Sequence, residues 1–194
     1  IHPVYGGGPE RRPWLWNPKH NRGMLHYLGS HLIDLVLWFV DSDALSVNGH
    51  VVMDPRYSTS SREAYTIRFK NDALASILTA EGVTGTSALY FAGHNAFDVQ
   101  ATGAFGSVEC HYQSQPTYRY IVNIYSREIV EYNNPTEFKI LPSVDNGVTT
   151  EFIDSIIEDR DPAIPGEQGL KVMEIVDAVY ESSKTGRTIP LPLG

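Results

Sequence analysis

Two histidines, a tyrosine and an aspartate stand together in GMLHYLGSHLIDLVLWF, residues 23–39: His26, Tyr27, His31 and Asp34. Imidazole is the side chain best suited to taking up or releasing a proton near neutral pH. A carboxylate one helical turn away can hold it in one tautomer and stabilise its charged form. His31 and Asp34, three residues apart, have that spacing. Tyr27 lies one turn to the other side, and its hydroxyl can donate to a substrate or to His31. Other readings stand beside this one. His31 can be a buried histidine bonded to backbone, and Asp34 can pin a neighbouring loop. His26, His31 and Asp34 can also be metal ligands, although a spacing of five and then three does not bring all three to one helical face. His26 lies about 100° round the helix from Tyr27 and is the weaker pocket candidate.

These residues need a helix to carry them. Leu28, Leu32, Leu35, Val36 and Phe39 recur at three- and four-residue spacing, which predicts an apolar stripe on a helix from about Gly23 to Val40. Tyr27, Ser30, His31 and Asp34 then share a different face. Residues 1–22 are too rich in Gly and Pro for a long helix or a central strand, and read as a loop anchored by Trp14 and Trp16. Arg12 and Trp14 of that loop, with His26 and with His94 of FAGHNAF, are the candidates for substrate binding. Trp14 serves equally well as a structural anchor, and His94 as a loop residue.

From about residue 44 to 141 the pattern changes to period two with β-branched and aromatic residues. EAYTIRF (63–69) and ALASILTAE (73–81) flank a Lys70-Asn71-Asp72 turn. TSALYFA (86–92), AFDVQAT (96–102), SVECHY (107–112), YRYIVNIY (118–125), EIVEY (128–132) and EFKIL (137–141) are further strands. Two helices close the chain. The first covers 148–160, with Phe152, Ile153, Ile156 and Ile157 on one side. The second covers 167–184, carried by Leu170, Val172, Met173, Val176, Val179 and Tyr180 and ended by Gly186. Strands in succession with helices at both ends predict an α+β fold, an open and mostly antiparallel sheet with helices packed on one face. The uncovered face is suited to a homo-oligomeric interface.

Composition narrows the function. A net charge of −8 in 194 residues, with no basic patch, argues against a nucleic-acid partner. No apolar run is long enough for a membrane span. The single cysteine, Cys110, excludes an internal disulfide framework and a multi-cysteine metal site. One thiol fits a reducing compartment, and a cytoplasmic setting is the expectation.

Three stretches carry a resemblance. GMLHYLGSHLIDLVLWFV resembles the GGxxxDxGxHxxDxxxWxxG helix of the glucose–fructose oxidoreductase / inositol dehydrogenase / MocA family of NAD(P)-dependent oxidoreductases. FDVQATGAFGSVEC is similar to that family's apolar-Gly-Thr-x-Gly-Ser stretch. FIDSIIEDRDPAIPGEQGLKVMEIVDAVYESSKTGRTIPLP looks like its C-terminal signature. They occur in the family's order and span almost the whole chain.

The resemblance implies that residues 1–194 are the C-terminal, substrate-side and oligomerisation domain of such an enzyme. No G-x-G-x-x-G opens a βα unit here and no Glu-Lys-Pro occurs, so the Rossmann domain is expected to be missing. NAD or NADP would be held mainly by that domain, with none expected on this chain alone, and the substrate would be a small carbohydrate-like alcohol or ketone. In the family the histidine at the His31 position faces substrate and nicotinamide and is named as acid/base. Tyr27 stands where many members have aspartate, which changes the usual proton relay. Two alternatives remain: a non-catalytic dimerisation or partner-binding module, and an enzyme using transient oxidation for elimination or glycoside cleavage.

Overall fold

The computed structural model describes residues 13–20, 22–55, 58–80, 89–92, 94–103, 106–112, 118–124, 128–132 and 144–194. A 3-10 turn, Pro13–Trp16, precedes a π-helical turn, Leu25–Gly29, which runs into α1, Ser30–Val40. The strands are β1 Ala44–Asp54, β2 Thr59–Phe69, β3 Leu74–Ala80, β4 Leu89–Ala92, β5 His94–Gly103, β6 Gly106–Tyr112, β7 Tyr118–Ile124 and β8 Glu128–Tyr132. Helices α2, Val144–Ile157, and α3, Gly166–Thr185, follow, with a two-residue β9, Ile189–Pro190, at the end. The chain divides into two compact units, residues 1–97 with 170–194, and residues 98–169. The stretch EFKIL, 137–141, lies outside the described residues.

The first unit is built on β1, β2 and β3, paired antiparallel with Val47 opposite Ile67 and Tyr65 opposite Ile77. Lys70–Asp72 makes the β2–β3 turn as expected, with Asp72 in the left-handed region at φ 64° and the Phe69 N–H donating to the Ala73 carbonyl over 3.0 Å. Beyond β3 the pairing with β4 is parallel, Thr79 opposite Leu89, and β4 meets β5 antiparallel. Alternation puts Val47, Tyr65, Ile67, Phe69 and Ile77 on one face, all buried. Leu32 and Ile33 of α1 and Val172, Ile175, Val176 and Val179 of α3 close over them to form the core. Each large apolar side chain buried there contributes about 1.5–3 kcal/mol. The opposite face carries the cross-strand rows Asn48/Thr66/Ser76 and His50/Ala64/Leu78 and is largely exposed. This is an α+β fold, an open antiparallel sheet with helices on one face.

Strand β1 pairs with β9 only at Ser46 and Val47, and two further β1 donors are met by side chains of α3. The Gly49 N–H donates to Ser182 Oγ over 3.0 Å and the Val51 N–H to Ser183 Oγ over 2.9 Å. Side-chain oxygens thus satisfy strand donors that would otherwise offer an edge for pairing. Gly186, at φ 69°, ends α3 as its sequence predicts, with its N–H on the Ser182 carbonyl. Asp43, just after α1, accepts from Lys70 Nζ at 2.8 Å and Lys171 Nζ at 2.9 Å, and those hydrogen bonds hold its carboxyl down at about 2.

The apolar stripes differ in detail from the expectation. On α1 the core takes Leu32 and Ile33, with Val36, Leu37 and Val40 packed against it, while Leu28 and Leu35 are half-buried and Phe39 is exposed. The core positions 32, 33, 36, 37 and 40 still keep helical spacing, so the buried face is the expected one turned about the helix axis towards Ile33, Leu37 and Val40. On α3 Leu170 is exposed and Ile175 and Ala178 are core residues instead.

In the second unit β6, β7 and β8 form an antiparallel meander, Val108 opposite Val122 and Val122 opposite Val130. Phe152, Ile153, Ile156 and Ile157 do lie along α2, but as exposed residues. The Arg160 guanidinium grips both Glu151 oxygens, at 2.7 and 3.0 Å, and folds the chain after α2 back onto it. No helix among the described residues is long and apolar enough to cross a membrane.

Among the described glycines Gly23 has the least tolerance. It sits at φ 111° and bridges to Ser60, and a Cβ there would lie 2.2 Å from the Ser60 nitrogen. Gly23→Ala is expected to destabilise the domain by about 2–4 kcal/mol, since both the backbone angle and the contact must give. Urea unfolding checks this, and a loss below about 1 kcal/mol would show that the bridge is dispensable.

Candidate functional site

The helix with the candidate residues begins from a fixed backbone point. The Arg22 carbonyl accepts from the Ser60 N–H and from the Tyr180 hydroxyl, each at 2.7 Å. Ser60 Oγ accepts from the Leu25 N–H at 3.2 Å and lies 3.0 Å from the Tyr180 oxygen. Since that hydroxyl proton is committed to Arg22, Ser60 is the donor in the last bond. The Arg22 guanidinium lies 4.6 Å over the Tyr180 ring and pairs with Asp177. Burial pushes the Tyr180 phenol up to about 12, so it stays a donor. Below this point Glu63 is fully buried and accepts from the Thr79 hydroxyl. Tyr65 is also buried, and burial and the Glu63 charge drive its phenol upward.

From Met24 the chain winds through the π turn into α1. Leu25, fully buried, runs beneath Gly29, where a Cβ would come within 2.9 Å of the leucine methyl. Tyr27, His31, Asp34 and Trp38 follow at four-, three- and four-residue steps and form one line along the helix. His31 is exposed, Tyr27 and Asp34 are half-buried, and Trp38 is 70% exposed. Trp14 meets the Tyr27 ring edge-on, centroids 5.9 Å apart, and Trp38 lies 5.1 Å from the Phe39 ring. The Ser30 hydroxyl turns back to the Tyr27 carbonyl at 3.2 Å and supports the turn.

His26 points elsewhere. It is half-buried near Arg22 and Asp177, and burial, aided by the Arg22 charge, lowers its pKa against the opposing pull of Asp177. The turn towards α3 sets it apart from the His31 line. Of the other candidates, Arg12 lies outside the described residues. His94 begins β5, and its side chain lies outside the description. Trp14 is placed against Tyr27 and is half-exposed. No group of three metal-ligating side chains occurs among the described residues. Trp38 is the member of the line not singled out from sequence, although its four-residue step from Asp34 was there to read.

The arrangement offers an exposed imidazole, a carboxylate one turn on, a phenol one turn back, and indole rings at the two ends of the line. Such a set is chemically able to move a proton to or from an oxygen atom. Residues 2–191 match the family described as "Oxidoreductase family, C-terminal alpha/beta domain". The chain belongs to that family. No curated protein matches this oxidoreductase-family domain.

Similar solved structures include aldose–aldose oxidoreductase from Caulobacter crescentus, complexed with glycerol. It is 19% identical with a TM-score of 0.75 over 95% of this chain and 52% of that one. Levoglucosan dehydrogenase, in complex with NADH and L-sorbose, is 16% identical with a TM-score of 0.74 over 92% of this chain and 53% of that one. The WlbA dehydrogenase from Bordetella pertussis, in complex with NADH and UDP-GlcNAcA, is 19% identical with a TM-score of 0.67 over 95% and 50%. At these identities the likeness is one of fold. The oxidoreductase-family domain spans about half the length of these structures.

The electrostatics around His26 yield a direct test. Its ring should titrate below the usual histidine range, and Arg22→Gln should move that midpoint upward by removing a neighbouring cation and leaving the Asp177 charge. Ring-proton NMR titration reads both, and an unmoved midpoint in the variant would disprove the coupling.

Proposed function

We propose that this domain is the C-terminal, substrate-side part of an NAD(P)-dependent oxidoreductase acting on a sugar-like alcohol or ketone, with His31 as its acid/base. The carrying observation is the exposed His31 imidazole on α1, with Asp34 one turn beyond it and Tyr27 one turn before. The family membership and the sugar-related names of the similar structures support the reading.

The donor set suits a proton at a substrate oxygen. Among the described residues no Gly-rich strand-to-helix turn is present to cradle a pyrophosphate, so the dinucleotide is assigned to a preceding domain. A bound nicotinamide would supply the hydride acceptor for oxidation of an alcohol carbon, or the hydride donor for reduction of a ketone. His31 accepts the hydroxyl proton during oxidation and returns it during reduction. Asp34 stabilises the imidazolium that forms, and Tyr27 donates a hydrogen bond to the substrate or to His31. Trp14 and Arg12 are assigned to the sugar, the indole against its C–H face and the guanidinium on its hydroxyls. The single Cys110 fits a cytoplasmic setting.

In the whole protein, assayed against a panel of aldoses and polyols with NAD⁺ and NADP⁺, His31→Ala is expected to lower kcat by about 10²–10⁴-fold with cofactor affinity nearly unchanged. The fold should survive, because an exposed imidazole contributes little packing. A kcat within twofold of wild type would remove His31 from the mechanism. Tyr27→Phe separates the two tyrosine roles: a large loss assigns its hydroxyl to proton transfer or substrate binding, and little change leaves the ring as pocket wall.

The exposed sheet face, with its rows Asn48/Thr66/Ser76 and His50/Ala64/Leu78, is proposed as a homo-oligomeric interface, most simply a dimer. Light scattering on the whole protein should give at least twice the monomer mass, and Leu78→Glu should shift it to monomer. A wild-type monomer at working concentration would refute the assignment.

A further inference from the structure

Three segments far apart in the chain meet at the Arg22 carbonyl: the start of the site helix, the first residues of β2, and the last third of α3. Ser60 and Tyr180 lie 120 residues apart in sequence, and Tyr180 and Arg22 lie 158 apart. The bonds run in one direction. The Leu25 N–H donates to Ser60 Oγ, Ser60 donates to the Tyr180 oxygen, and Tyr180 donates to the Arg22 carbonyl. Leu25 and Arg22 flank the Gly23–Met24 step, so the closed circuit clamps the backbone where it turns into the helix. The first turn above it is π-helical, a form poor in intrinsic stability that persists where surroundings hold it. Tyr27 rests on that turn, and His31 begins one residue after its C-cap Ser30.

We propose that Tyr180 is a positioning residue of the site: through Ser60 and the Arg22 carbonyl its hydroxyl fixes the start of the helix and thereby the placement of Tyr27 and His31. Tyr180 touches no reacting atom. Its ring also carries the Arg22 guanidinium, but Tyr180→Phe keeps that contact and deletes only the hydroxyl, so the two contributions separate. The catalytic consequence rests on the function proposed above, whereas the conformational one does not.

The test uses the whole protein and three variants, Tyr180→Phe, Ser60→Ala and the double substitution. Val172→Ala serves as a control that weakens the same helix through the core without touching the circuit. Hydrogen exchange by mass spectrometry on a peptide covering residues 22–28 should run at least about three- to tenfold faster in each single variant, since each removes two of the circuit's bonds. The double variant should be no faster than the worse single, because both break one circuit. The control should leave this peptide no more affected than the β1–β2 peptides.

In the aldose and polyol assay, kcat should fall about tenfold in Tyr180→Phe with the cofactor Kd unchanged, and should hold in Val172→Ala. Unchanged exchange at 22–28 in Tyr180→Phe overturns the proposal whatever the activity. Faster exchange with kcat within twofold of wild type overturns the positioning role and leaves the proposed function standing. A wild-type kcat in His31→Ala overturns that function instead, and the exchange result still decides whether the hydroxyl holds the helix.

Discussion

One strand holds the site helix at both of its ends. At the start of β2, Ser60 bridges to Gly23 and its hydroxyl receives the Leu25 N–H. Just past the other end of β2, the Asn71 side chain donates to the Val40 carbonyl at 3.3 Å, and the Lys70 N–H donates to the Asp43 carbonyl at 3.0 Å. The helix cannot slide along its axis without breaking bonds at both ends. Its rotation is set by Leu25, Leu32 and Ile33, which are buried in the core. With translation and rotation both fixed, Tyr27, His31 and Asp34 have one placement on the domain.

The core that sets the rotation is shared with α3. Val172, Ile175, Val176 and Val179 pack with Val47, Ile67 and Phe69 in one cluster, while Ser182 and Ser183 serve the free edge of β1. The same helix supplies Tyr180 to the start of the site helix and Lys171 to Asp43 near its end. Residues close to the C-terminus therefore decide the geometry of residues near position 30. A substitution in α3 can disturb how α1 is held at its two ends.

Much of this was legible in the residues. The period-two pattern marked β2, β3 and β5 to β8 within a residue or a few, because alternation is a local consequence of the pleat. Lys70-Asn71-Asp72 declared its turn through residues that tolerate the left-handed region, and Gly186 declared the end of α3 in the same way. The Tyr27, His31 and Asp34 line was visible as well, since four residues make about one turn in either an α- or a π-helix. The stripe of α1 was not. Phe39 satisfied the expected spacing yet is exposed, because a second apolar row, Ile33, Leu37 and Val40, has the same spacing and is the one that packs on the core. Likewise nothing local distinguishes Ser60 from Ser61.

By itself the sequence determined the types of element, their order, the turns between many of them, and a helix bearing an imidazole next to a carboxylate. Those follow from interactions among residues a few positions apart, where backbone preferences and side-chain periodicity act. Only the tertiary structure decided that His26 turns towards Arg22 and Asp177 while His31 faces outward, that Trp14 lies against Tyr27, and that Tyr180 closes a circuit with Ser60 and Arg22. The approach of His26 to Asp177, the Trp14–Tyr27 contact and the Tyr180 bonds each join residues more than ten apart in the chain. Such contacts exist only once the sheet and α3 have met around a common core, and no local propensity encodes them.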